Sequence, residues 1–264
     1  MKFFESHAHY NDEKFIDDRE PIMQKIQEEG IETVICAGYN ISSSLFAIEI
    51  ANRYPFAYAT CGISPNDIPP KEEMDKQLKQ VEKIVEQNKK VVAIGEIGLD
   101  YYWNKDNKVI QRQLFEQQIQ IANRFKLPIV IHARDAYPDV IKVLTERKVL
   151  KGGVFHCCQL NQELVREALN LGFYISLAGP ITFKNSKNAD EIIKMIPLDK
   201  LLIETDSPYL SPEPKRGSRN DSTNLIYIAE KVAQVKRQEV ETIAKITSQN
   251  GKSLFGIGFV NRFP

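Results

Sequence analysis

Histidine is scarce in this chain, with four in 264 residues. His7 and His9 stand two apart in the opening run KFFESHAH, and His132 and His156 close the apolar runs LPIVIH and GGVFH. Two carboxylates are placed in the same way: Glu96 ends VVAIGE, and Asp206 ends LLIETD. Burying imidazoles and carboxylates is costly unless they are paired or bound to a metal. Six such groups at the ends of apolar runs call for a divalent cation, or two, because neutral imidazoles and ionised carboxylates are its natural ligands. Each signal alone is weak. H-x-H occurs by chance on strands, a histidine ending a buried strand is often a satisfied core residue, and an acid can cap a helix or pair with a base. The placement shared by all six carries the inference.

A metal at such a site points to hydrolysis. A divalent ion lowers the pKa of bound water from about 15.7 to about 7, and two ions about 3.5–4 Å apart can hold the attacking and leaving oxygens together. Glu96 comes from the middle of the set and is the candidate bridging carboxylate. Asp206 is the candidate that both touches metal and accepts the proton of the attacking water.

The elements that must position these groups are legible as an alternation. Eight short apolar runs recur, KFFESHAH, TVICAG, FAYATCGI, VVAIGEIG, LPIVIHA, GGVFHC, GFYISLAG and LLIETDSP. They read as parallel strands buried on both faces. Between them lie stretches with helical spacing, such as Asn107 to Lys126 with Ile110, Leu114, Ile121 and Phe125 on one face. A last helix carries Val240, Ile243 and Ala244 and is expected to stop at Asn250-Gly251. Strand then helix, repeated about eight times, predicts a single (β/α)8 TIM barrel spanning residues 1–264, with the metal site at the C-terminal ends of the strands. Period two turns His7 and His9 to the same side of the first strand, toward the barrel axis.

Bulk properties exclude some classes. Lys+Arg and Asp+Glu are equal at 35 each, so no long-range attraction to nucleic acid is indicated. No apolar run approaches the ~20 residues of a membrane span, and the start lacks a signal-peptide pattern. Cys36, Cys61, Cys157 and Cys158 form no C-x-x-C pair and read as small core residues, consistent with a cytoplasmic location.

At these residues the chain resembles the TatD family of metal-dependent deoxyribonucleases. The resemblance runs from ESHAH through IGEIGLDY, IVIHARDA and FHC to LLIETDSPYLSPEPKRGSRN and NGKSLFG. ETDSPYL followed by RGSRN is far more specific than H-x-H. The resemblance assigns His7, His9, Glu96 and Asp206 to one metal and Glu96, His132 and His156 to a second. It implies magnesium, while histidine-rich ligation suits zinc, manganese or iron as well, so the identity of the ions stays open. It implies removal of nucleotides from the 3′ end of DNA, with single strands preferred. Deacylation of D-aminoacyl-tRNA, or hydrolysis of another small ester or amide, is the alternative, and a non-catalytic metal-binding protein is a third reading. No membrane and no obligate protein partner is implied.

Arg134, Lys184, Arg216 and Arg219 are the candidate substrate contacts, placed to hold phosphate oxygens. Arg134 has an alternative role in an ion pair with Asp135 or Asp100, and the loop arginines as solvated charges. Tyr101, Tyr102 and Trp103 either stack a base or pack their loop. An open groove lined by the four cations favours a polymer; a closed apolar pocket favours a small molecule. Three runs depart from the family pattern: Glu5 stands for the usual Asp, GISPND lacks a histidine that would contact substrate, and HCCQL replaces aromatic-Ser-Gly. The ligands are untouched, so the departures bear on substrate preference.

Overall fold

The structure is a computed structural model that describes residues 1–103 and 105–258. Its strands are β1 (Phe3–Ala8), β2 (Ile31–Cys36), β3 (Ala57–Cys61), β4 (Val91–Asp100), β5 (Ile129–Arg134), β6 (Gly153–Phe155), β7 (Tyr174–Leu177) and β8 (Leu201–Ile203). Between and after them run α1 (Arg19–Glu28), α2 (Ile41–Arg53), α3 (Met74–Gln87), α4 (Lys108–Phe125), α5 (Tyr137–Glu146), α6 (Gln162–Asn170), α7 (Ala189–Met195), α8 (Leu225–Lys236) and α9 (Val240–Phe255). The strands pair in parallel and in chain order from β1 to β8, giving a nearly closed barrel with helices outside.

The seam between β8 and β1 is fastened at the rim. Asp206 N donates to His7 O at 3.1 Å, and His9 N donates to Ser207 O at 2.6 Å. Below them the fully buried Glu5 carboxylate accepts from Thr205 N at 2.9 Å and Thr205 Oγ1 at 2.6 Å. The contacts that close the barrel therefore bring three of the candidate ligands together.

The interior is layered by the two-residue period of the strands. Phe4, Ile35, Val92, Val130, Val154 and Leu202 form an apolar plug with Leu254 and Phe255 of α9. Two residues further along come Ser6 on β1 and His132 on β5, with His156 and Glu204 just past the ends of β6 and β8. The larger core cluster fills the space between barrel and helices, with Leu114, Phe115, Val140, Leu164, Ile192 and Ile228 among its members.

Two boundaries differ from the sequence reading. β4 does not end at Glu96 but continues to Asp100, so Glu96 lies inside a ten-residue strand. α9 runs through Asn250-Gly251 to Phe255 and ends at Gly256, which has φ +55°. The glycine at 251 serves packing instead of termination. A Cβ there would lie 2.6 Å from the Phe4 ring, and Phe4 stacks on Phe255 at 5.9 Å between centroids. No helix among the described residues is long and apolar enough to cross a membrane.

Candidate metal centre

The six candidate ligands meet at one end of the barrel. His7 Nε2 and His9 Nε2 lie 3.2 Å apart, and His132 Nδ1 and His156 Nε2 lie 3.3 Å apart. Glu96 stands between the two pairs. Its Oε2 is 3.7 Å from His7 Nε2 and 3.9 Å from His9 Nε2, while its Oε1 is 2.7 Å from His132 Nδ1 and 3.2 Å from His156 Nε2. Asp206 Oδ1 closes the first group, 3.3 Å from His9 Nε2 and 3.6 Å from His7 Nε2. Donor atoms of three triads lie within metal-binding reach of one another: His7–His9–Glu96, Glu96–His132–His156 and His7–His156–Asp206.

Three of the imidazoles are held from behind, so that the other nitrogen faces the centre. His9 Nδ1 donates to Ala37 O at 3.3 Å. His132 Nε2 lies 2.9 Å from Asp100 Oδ2. His156 Nδ1 is 3.4 Å from Glu204 Oε1, a charge contact without hydrogen-bond alignment. His7 is gripped through its backbone, and its Nδ1 is buried without a partner. Gly98 allows β4 to pass behind His132: its φ is +144°, and a Cβ there would lie 2.0 Å from His132 O.

Electrostatics fit a cation. Burial disfavours the charged form of every group in the centre. Against that burial, His156 and His132 hold Glu96 well below the usual carboxylate range. Glu96 and Glu204 in turn hold His156 well above the usual imidazole range. His132 is raised by Asp100 and Glu96, and His9 by Asp206 and Glu96. Burial, reinforced by His156 and His9, pushes His7 well below that range. Neighbouring positive charge thus offsets the burial of Glu96, a role that a divalent ion among the ring nitrogens would fill. The mixed nitrogen and oxygen donors suit such an ion.

Two acids behind the ligands escaped the sequence reading of the site. Asp100 accepts from Asn66 Nδ2 and from the backbone of Tyr102 and Trp103, besides meeting His132. Burial opposes its ionisation, yet these bonds, led by His132, bring it down to about 2. Glu204 is fully buried and accepts from Cys157 N at 2.6 Å. The signal for both was the strand period: Asp100 follows Glu96 by four, and Glu204 precedes Asp206 by two. Glu5 holds the barrel seam, and burial pushes its carboxyl up to about 8. Asn66, from the GISPND run that departs from the family pattern, donates to Asp100 at 3.1 Å.

The four candidate substrate cations are dispersed. Arg134 stacks on Tyr102, 3.9 Å from the ring centroid, and flanks Trp103 at 5.5 Å. Arg216 lies 4.1 Å over the Phe183 ring, and Lys184 is exposed beside it in sequence. Arg219 is drawn away, with Nη1 bonded to Asp18 Oδ1 at 2.8 Å and to Lys14 O at 2.6 Å. Tyr101 packs inward and donates to Asp139, whereas Tyr102 and Trp103 are exposed.

A cavity of about 310 Å³ opens beside the second histidine pair. His132, His156 and Asp206 form one wall, and Arg134 and Gln159 add polar groups. The rest is Ala133, Cys157, Cys158, Leu160, Ala178, Pro180, Ile181 and Leu210. Cys157, read from sequence as a core residue, instead lines this cavity, where its φ of +39° turns its N–H toward Glu204.

Comparison with known proteins identifies the family and the fold. Residues 4–256 match the family model described as TatD related DNase. An uncharacterized metal-dependent hydrolase of Bacillus subtilis, YabD, is 42% identical over 255 residues, covering 96% of this chain and 99% of its own. The Escherichia coli K12 protein YcfH, also an uncharacterized metal-dependent hydrolase, is 34% identical, with 97% of each chain covered. The crystal structure of the TatD homologue YjjV from E. coli K12 superposes with a TM-score of 0.90 at 25% identity, over 97% of this chain and 98% of that one. With a family match across nearly its whole length and relatives of this closeness, the chain belongs to the TatD family of metal-dependent hydrolases.

Proposed function

We propose that the protein is a deoxyribonuclease that removes nucleotides from the 3′ end of DNA, using two divalent ions. His7, His9, Glu96 and Asp206 would hold one ion, and Glu96, His132 and His156 the other. The observation that carries the two-ion reading is Glu96, whose two oxygens face different histidine pairs. When bound, the ions supply Lewis acidity, activating water and polarising the phosphoryl group.

The chain's own residues supply the rest. Asp206 borders the cavity and accepts one proton of the attacking water. The water oxygen bonds to phosphorus as the P–O3′ bond breaks, and the departing oxygen takes its proton from solvent. Arg134, stacked on Tyr102, offers a guanidinium held flat for a phosphate oxygen. Asp100 and Glu204 keep His132 and His156 oriented. Support for DNA as substrate comes from the family model's description and from this arginine.

The test is metal analysis of the purified protein, followed by timed digestion of 3′- and 5′-labelled oligonucleotides. Loss of 3′ label one nucleotide at a time is the expected result; intact oligonucleotides with the metals bound would refute it. A second reading, deacylation of D-aminoacyl-tRNA, is favoured by the apolar cavity, which Arg134 borders but Lys184, Arg216 and Arg219 do not. Release of the amino acid from D-aminoacyl-tRNA, with oligonucleotides untouched, would establish it.

A further inference from the structure

We propose that the cavity beside His132 and His156 is a pocket for the base of the terminal nucleotide, so that substrate is engaged one base at a time. The inference rests on the nuclease reading and adds what the cavity recognises.

Three observations carry it. The first is position: His132, His156 and Asp206, three of the candidate ligands, are among its lining residues, so an occupant lies beside the group being cleaved. The second is size, since about 310 Å³ lies at the lower end of the ~300–1,000 Å³ typical of small-molecule sites. That accommodates one nucleoside and excludes a stacked pair. The third is chemistry. Cys157, Cys158, Leu160, Pro180, Ile181 and Leu210 present thiol, ring and aliphatic surfaces with few hydrogen-bonding groups. Such walls reject a bare phosphate but suit the flat, weakly polar face of a base, and sulfur packs well against aromatic rings. Arg134 and Gln159 meet the polar edge and the backbone.

Because the walls carry few directional groups, the pocket holds any base. The four terminal nucleotides are removed at rates within about threefold of one another, since contact with a π-face tolerates sequence. An abasic terminal residue leaves the pocket unfilled and lowers kcat/KM about tenfold or more, a loss of one factor of ten per 1.4 kcal/mol of apolar contact.

Two measurements test this on the metal-loaded enzyme. In the first, 3′-terminal abasic and normal oligonucleotides compete for cleavage. Wild type is expected to favour the normal end by about tenfold or more, and Leu160→Trp, which fills the pocket from its edge, to narrow that ratio. Equal cleavage of both ends by wild type overturns the proposal even if the variant fails to fold. In the second, 2-aminopurine is placed at the terminal or the third position of an oligonucleotide whose last linkage is a non-hydrolysable methylphosphonate. Its emission should change on binding at the terminal position and not at the third; the same response at both also overturns the pocket. Failure to cleave any oligonucleotide would instead reject the nuclease reading, and cleavage of D-aminoacyl-tRNA in its place would assign the pocket to an acyl side chain.

Discussion

Asp100 Oδ2 lies 2.9 Å from His132 Nε2, and this contact leaves His132 Nδ1 2.7 Å from Glu96. Asp100 is itself fixed by two backbone N–H groups and Asn66, so the ring orientation traces back to the β4–α4 and β3–α3 loops. Asp100→Asn preserves shape but removes the charge behind the ring. Metal affinity at the second site should fall about 10–100-fold, the usual cost of losing such a partner. Competition with a chromogenic chelator measures it. Wild-type affinity in the variant would mean that packing alone orients His132.

Asp206 faces the cavity from a backbone with φ +56° and lies 3.3 Å from His9 Nε2. Asp206→Asn keeps an oxygen for the metal and the backbone N–H that fastens the seam, but cannot take a proton. Single-turnover cleavage should slow about 10²–10⁴-fold, the range of a general base. Metal content measured on the same sample separates this from loss of the ion. Near-wild-type turnover with both ions in place would move the proton acceptor elsewhere.

The barrel and the convergence of its candidate ligands were legible because they rest on short-range rules. Apolar runs of strand length alternate with helical spacing, and the period of two places His7 with His9. Asp100 and Glu204 were harder because nothing in IGLD or IETD says which acid of a run faces the centre and which stands behind a histidine: Asp100 follows Glu96 by four, and Glu204 precedes Asp206 by two. Asn250-Gly251 looked like a stop because glycine usually ends helices, yet Phe4, some 247 positions away in sequence, needs the missing Cβ. The ion pair of Arg219 was not legible, because a charge in an exposed loop gives no hint of Asp18 about 200 residues earlier. Each miss depends on a partner distant in sequence.

Stability toward acid has a separate source. Glu32 on β2 accepts from Lys252 Nζ at 2.7 Å and Ser248 Oγ at 2.6 Å, tying the strand to α9. Partial burial pushes its carboxyl up, but Lys252 and Ser248 outweigh it and hold it below its usual range. A depressed carboxylate stabilises the fold above its unfolded pKa of about 4.3, and that contribution disappears as pH falls through the folded value. After solvent screening the pair is worth about 0.5–1 kcal/mol. Glu32→Gln should therefore lower Tm by about 1–4 °C at pH 7. The difference from wild type should close as pH drops below about 4. A gap independent of pH would assign the loss to the hydrogen bonds alone.

Arg134 and Arg219 were both candidates for gripping phosphate, and the structure separates them. Arg134 borders the cavity and stacks on Tyr102, with its donors free of the carboxylates at 100 and 135, which His132 and Gln159 engage. Arg219 spans the rim to Asp18 and Lys14. Arg134→Ala should raise KM for oligonucleotides about 10–100-fold, the worth of a hydrogen bond to a charged group. It should also reduce the salt slope of binding by about one. Arg219→Ala should leave KM within about twofold and lower Tm by about 1–4 °C, as befits a part-exposed pair. Steady-state kinetics across salt, with thermal denaturation of both variants, distinguishes the two. A raised KM with unchanged Tm in Arg219→Ala would mean that this guanidinium leaves Asp18 for the substrate.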